Sequence, residues 1–153
     1  MANLEANFLG RGWSFPPTFN PNLHPKGVEM TTGLEDIERS LQILLTTRLN
    51  ERILAPDFGC DLQDAVFQPL DTTLETRLKD LVSTAILYYE ARIDLLNVTA
   101  TEPPQQPGLL LIEVEFKVRA TNARHNFVYP FYKQEGTELA LSNAGPTATP
   151  VVR

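Results

Sequence analysis

The sequence predicts an α+β fold in which two main helices pack on one face of a small antiparallel β-meander, and three observations carry that expectation. Apolar residues recur at helical spacing in two segments, Ile37, Leu41, Leu44 and Leu45 in the first and Leu74, Leu78, Leu81, Val82 and Ala85 in the second. Leu110, Ile112, Val114, Phe116 and Val118 alternate with Glu113, Glu115, Lys117 and Arg119, the period of a strand with one buried and one wet face. The 153 residues suffice for one modest core, and no internal repeat is visible.

Residues 1–33 read as an extended N-terminal arm. Pro16, Pro17, Pro21 and Pro25 remove backbone donors and hold the chain extended or turning. The arm's aromatics, Phe8, Trp13, Phe15 and Phe19, need a surface to cover, either this domain's own core or a neighbouring subunit.

Residues 34–135 form the predicted domain. Thr32 with Glu35 has the pattern of a capping box opening a helix from about Leu34 to Arg48. Pro56 and Gly59 break the helical period, so Asn50 to Leu62 reads as a structured loop over the helix ends, running into a short helical turn around Asp61 to Phe67. Asp71 or Thr72 caps a second helix reaching about Ala91, with Glu75 completing a box after Thr72.

Ile93 to Thr101 reads as the antiparallel partner of the main strand, and the three prolines of Glu102 to Gly108 exclude a two-residue turn between them. Phe127, Tyr129 and Phe131 mark a third strand, which Pro130 assigns to a sheet edge because proline gives no donor to a ladder. Residues 136–153, rich in Ala, Pro and Thr without periodicity, read as a loose tail.

A net charge of −6 argues against a nucleic-acid partner, which would need clustered Lys and Arg. The lone Cys60 allows no internal disulfide and fits assembly in a reducing cytoplasm. Met1 to Phe8 carries Glu5 and no long apolar run, and nowhere do about 18 apolar residues run together, so neither a secretory signal nor membrane insertion is expected.

Catalytic chemistry has little to stand on. His24 and His125 are far apart, and no Ser or Cys sits in a nucleophile-elbow context. Cys60 reads as a small buried hydrophobe. Asp57, Asp61 and Asp64 lack the spacing of a calcium loop and read as a solvated acidic turn. No cofactor or metal is expected. A glycosidase would need two carboxylates at a set distance, which acidic residues alone do not establish.

Three stretches in this order, Ile37 to Arg52 (IERSLQILLTTRLNER), Ile53 to Leu62 (ILAPDFGCDL) and Tyr88 to Ile93 (YYEARI), resemble the GPW-like baseplate wedge family of contractile phage tails, type VI secretion systems and extracellular contractile injection particles. The N-terminal FLGRGWSFPPTF, Phe8 to Phe19, resembles the opening of members from tail-like particles, so the likeness runs from about Phe8 to Tyr132.

The resemblance implies a non-enzymatic structural subunit that binds the baseplate wedge core and starts sheath assembly by strand pairing. It places the family's Glu-Pro-Arg motif at Glu90, Ala91 and Arg92, with alanine in place of the proline, and makes Glu90 and Arg92 the expected contact to the wedge core. Without the resemblance, that pair reads as an exposed ion pair at a helix end.

The expected sheath contact is the strand Asn126, Phe127, Val128, Tyr129, Pro130, Phe131 and Tyr132, with aromatics offering apolar docking area. The arm is expected to reach central hub or spike proteins. A historical lysozyme label in the family leaves a peptidoglycan-degrading baseplate component as the alternative, and an unrelated peptide-binding module as a third class. Whether the particle is a phage, a secretion system or an extracellular particle stays open.

Overall fold

The computed structural model describes residues 9–20, 27–63, 68 and 71–132. The tail after Tyr132, His24, Asp64 and most of the turn expected around Asp61 to Phe67 lie outside the described residues.

The chain opens with four short strands, β1 (Arg11–Trp13), β2 (Phe19–Asn20), β3 (Gly27–Val28) and β4 (Met30–Thr32). They pair as nested antiparallel ladders: Arg11 lies opposite Thr32 and Trp13 opposite Met30, while Phe19 lies opposite Val28. Two backbone bonds bridge the ladders, Ser14 N–H to the Glu29 carbonyl at 2.9 Å and Glu29 N–H to the Thr18 carbonyl at 2.8 Å. The segment read as an extended arm therefore folds back on itself, although Pro16 and Pro17 stay outside any ladder.

Helix α1 spans Leu34–Thr46 and buries Ile37, Leu41, Leu44 and Leu45, the stripe read from the sequence. Its expected cap is corrected. Gly33, with φ +65, occupies the cap position without a side-chain bond, because Thr32 is committed to β4 opposite Arg11. The helix also stops two residues short of Arg48, where the Thr47 N–H bonds to the Ile43 carbonyl as the chain turns extended.

The loop after α1 is anchored at Gly59. At φ +129 its backbone occupies a region that side chains avoid, and a Cβ there would strike the Thr47 carbonyl. This close approach lets the Cys60 N–H bond to the same carbonyl at 2.9 Å, burying Cys60 and Leu62 beneath the helix end.

Helix α2 spans Thr72–Tyr89 and resolves the two capping options in favour of Asp71, whose carboxylate accepts from the Leu74 N–H at 2.7 Å. Strands β5 (Ile93–Thr101), β6 (Leu109–Val118) and β7 (Arg124–Tyr132) then form an antiparallel sheet in the order β5-β6-β7. The main alternating strand is central, and the proline-bearing strand is an edge.

Phe116, Leu110, Ile112, Val114 and Val118 from β6 meet the apolar stripes of both helices in one core. The third strand is longer than its aromatic alternation indicates, pairing with β6 without a register shift from Arg124 to Tyr132. By contrast β5 carries a bulge between Leu95 and Asn97.

Candidate functional site

Helix α2 ends at Glu90, whose backbone (φ −126, ψ 78) has left the helical region while its N–H still bonds to the Ile86 carbonyl. Two residues on, Arg92 leads into β5. This short turn aims the Arg92 guanidinium back across the Glu90 carboxylate. Nε bonds to Oε1 and Nη2 to Oε2, both at 2.7 Å, a bidentate pairing that matches the planar fork to the carboxylate.

The same guanidinium reaches two further elements. Its Nη1 bonds to Asp36 Oδ2 of α1 at 2.6 Å and to the Leu9 carbonyl at 3.1 Å, so Arg92 joins both helix ends to the start of the N-terminal ladder. Thr31, buried on β4, donates to the other Asp36 oxygen at 3.0 Å. Gly12 on β1 leaves the space for this carboxylate, since a Cβ there would collide with it.

Glu90 is 4% exposed and is a buried charge, in contrast with the solvated helix-end pair that the residues alone suggested. Two carboxylates around one guanidinium hold it charged, raising its pKa against the opposing effect of burial, with the Glu90 hydrogen bonds the largest cause. Arg92 keeps 29% of its side-chain surface exposed, so one side of the cluster faces outward. Sequence reading found Glu90 and Arg92 but missed Asp36, Thr31, Gly12 and the Leu9 carbonyl, for which only folding supplies the proximity.

The second expected site, Asn126 to Tyr132, lies on β7 with its side chains divided by face. Phe127, Tyr129 and Phe131 are half-buried and pack against the core, so the apolar docking area expected of them is corrected: it is already used. Asn126, Val128, Pro130 and Tyr132 are the exposed set.

Phe8 lies outside the described residues, and the other N-terminal aromatics do not close over the core. Trp13, Phe15 and Phe19 are all exposed. Ile53 and Leu54, at the tip of the loop after α1, are 96% and 99% exposed. Arg52 stacks over Phe58, its guanidinium 4.0 Å from the ring centre, and Phe58 meets Tyr89 edge-on at 5.0 Å.

A groove of about 950 Å³ runs between this loop and α2, with Asp57, Asp61, Thr76, Arg77 and Tyr88 on its walls. Cys60 also lines it, but burial first and the Asp61 charge second push its thiol up to about 12, which suppresses the nucleophilic thiolate. His125 lies against Phe116, ring centres 5.9 Å apart. Among the described residues no group of three His, Cys, Asp or Glu side chains is placed to hold a metal, and no helix is long and apolar enough to cross a membrane.

The family model described as baseplate wedge protein gp25 matches residues 31–123, from the buried Thr31 of the Arg92 cluster to the turn before β7. This chain belongs to the baseplate wedge protein gp25 family. The match spans the two helices, β5, β6 and most of the Arg92 cluster. The baseplate wedge protein gp25 of Enterobacteria phage T4 is 34% identical over 93 residues, 61% of this chain and 70% of that protein.

Among solved structures, a Geobacter sulfurreducens protein provisionally labelled a tail lysozyme is 46% identical, with a TM-score of 0.61 over 66% of this chain and 91% of that one. A chain of the anti-feeding prophage baseplate, 23% identical, shares the fold with a TM-score of 0.64 over 88% of this chain and 94% of its own.

Proposed function

We propose that this protein is a structural baseplate subunit of a contractile injection machine, one that binds the wedge core through the outward side of the Glu90–Arg92 cluster and starts the sheath at β7. The observation that carries the reading is the path of side-chain and backbone bonds that connects the two proposed sites. Arg92 ties α1, α2 and the N-terminal ladder together, and its next residue opens the sheet in which β7 is an edge. A load entering at one site reaches the other through paired backbone. Membership of the gp25 family supports the baseplate role.

In this reading Arg92 serves two purposes. Its inward bonds set the geometry, and its exposed flank meets an acidic or carbonyl-lined surface of the wedge core, the kind of contact in which arginine anchors interfaces. The exposed Trp13, Phe15 and Phe19 form a further contact toward the hub or spike. Assembly takes place in the cytoplasm, and the finished particle carries the subunit with residues 34–135 as its working domain.

The wedge contact is tested by Ala91→Glu. Ala91 is exposed between the two charged residues, so the change adds charge at the proposed interface without removing any bond of the cluster. The variant should melt like the parent yet fail to enter baseplates in a producing strain. Normal incorporation would place the wedge contact elsewhere. A catalytic role in wall degradation predicts release of soluble fragments from purified peptidoglycan, which this reading does not.

A further inference from the structure

A guanidinium presents five N–H donors in one fixed plane, and four of those on Arg92 are committed within the fold. Nε and one Nη2 hydrogen go to the two Glu90 oxygens, while Asp36 Oδ2 and the Leu9 carbonyl share the two Nη1 hydrogens. The bidentate pairing takes the Nη2 hydrogen nearest Nε, so the fifth donor, the other Nη2 hydrogen, lies at the far end of the fork beside Nη1. It has no acceptor among the described residues. Arg92 keeps 29% of its side-chain surface exposed, and the exposed Ala91 beside it is small enough to let a backbone approach.

Charge narrows the choice of acceptor further. Two carboxylates, Glu90 and Asp36, stand against one guanidinium, so the cluster carries one net negative charge. Asp36 lies in the first turn of α1 and Glu90 ends α2, so a positive helix end and a negative one meet here and offset each other. A partner carboxylate would be the third around one guanidinium, and like charges brought together at an interface are penalised. To pair bidentately at the far end of the fork it would also need a hydrogen that Asp36 or Leu9 already holds. An uncharged oxygen taking a single hydrogen meets neither obstacle. The Leu9 carbonyl, 3.1 Å from Nη1, is an acceptor of that kind already in place.

We propose that the group which the wedge core offers to Arg92 is a single backbone carbonyl, bound by the fifth guanidinium N–H. This rests on the wedge-contact reading above and names its chemistry: of an acidic and a carbonyl-lined surface, only the second fits. Turns and helix ends supply such carbonyls, because their oxygens lack donors within their own element. Glu90 and Asp36 then act in recognition as well as in the fold, since they turn acidic surfaces away from the one donor that remains.

The test measures binding of the full chain to purified wedge core protein of the same particle. Ala91→Glu, which brings a further carboxylate to the fork, should weaken binding by about tenfold or more. In the wedge core protein, each single Asp→Asn, Glu→Gln, Asn→Ala or Gln→Ala change should leave binding within about threefold, the range of contacts at a solvated rim. With nitrogen-labelled arginine in this chain and carbon-labelled wedge core protein, magic-angle-spinning NMR of the complex should place a backbone carbonyl carbon of the partner against the Arg92 guanidinium.

The outcomes separate the chemistry from the contact. If Ala91→Glu weakens binding, and one acid-to-amide or amide-to-alanine change costs about tenfold and is coupled to Ala91→Glu in a double-mutant cycle, the wedge contact stands and the backbone carbonyl is overturned. If Ala91→Glu binds like the parent, the wedge contact itself fails and the carbonyl assignment with it. The NMR measurement uses unaltered proteins, so it decides the acceptor even where a substituted wedge core protein does not fold. A side-chain carboxylate or amide carbon against Arg92 overturns the proposal.

Discussion

Arg92 Nη1 lies 2.6 Å from Asp36 Oδ2, a contact between residues 56 positions apart that ties the end of α2 to the first turn of α1. Asp36 is 12% exposed and Glu90 4%, so the guanidinium neutralises two shielded carboxylates at once. Removing it strands both.

Arg92→Ala should therefore destabilise the fold by about 2 to 3 kcal/mol, below the range for a fully buried pair because Arg92 is partly solvated. Arg92→Lys should recover little, since an ammonium cannot span both Glu90 oxygens. Urea denaturation of the two variants measures this, and near-parental stability in either would remove the cluster from the account of the fold.

Gly12→Ala should act through the same carboxylate. An added Cβ displaces Asp36 from Thr31 and Arg92, so Gly12→Ala and Asp36→Ala should each weaken the fold. Combined, they should cost clearly less than the sum of the two. Additivity in this double-mutant cycle would show that the glycine and the aspartate act independently.

Cys60 should resist thiol reagents in the native protein at about pH 8 and react fully in denaturant. Its unfolded thiol titrates near 9.0 and its folded thiol near 12, so the fold binds the proton more tightly. Stability is then complete below pH 9 and declines as the pH rises from there to about 12. Denaturant midpoints of the parent and Cys60→Ala across this range check the sign, because the alanine variant should lose this component of the decline.

The two helix starts should respond differently. Asp71→Ala removes a formed cap and should cost about 1 kcal/mol, whereas Thr32→Ala should be close to neutral despite its capping-box spacing. Thermal melts of the pair compare them directly.

The contrast between those starts shows what was readable from sequence. Asp71 belongs to no strand, so local chemistry decides the cap, and the period-two run of β6 and the proline of β7 are equally local signals that place one strand centrally and the other at an edge. Thr32 fails as a cap because Arg11 claims its backbone from 21 positions away, a pairing that no short pattern encodes. Separations of 56 and 83 positions likewise hid Asp36 and Leu9 from the site around Arg92. Their alternation puts Phe127, Tyr129 and Phe131 on one face, but alternation alone does not say that this face already packs against the core.

Electron cryomicroscopy of the assembled particle decides whether this one subunit joins wedge core to sheath. The proposed function requires a sheath strand hydrogen-bonded to the edge of β7, with the exposed flank of Arg92 against a wedge core protein. A β7 edge facing only solvent, together with an Arg92 flank that touches no neighbouring subunit, would contradict it.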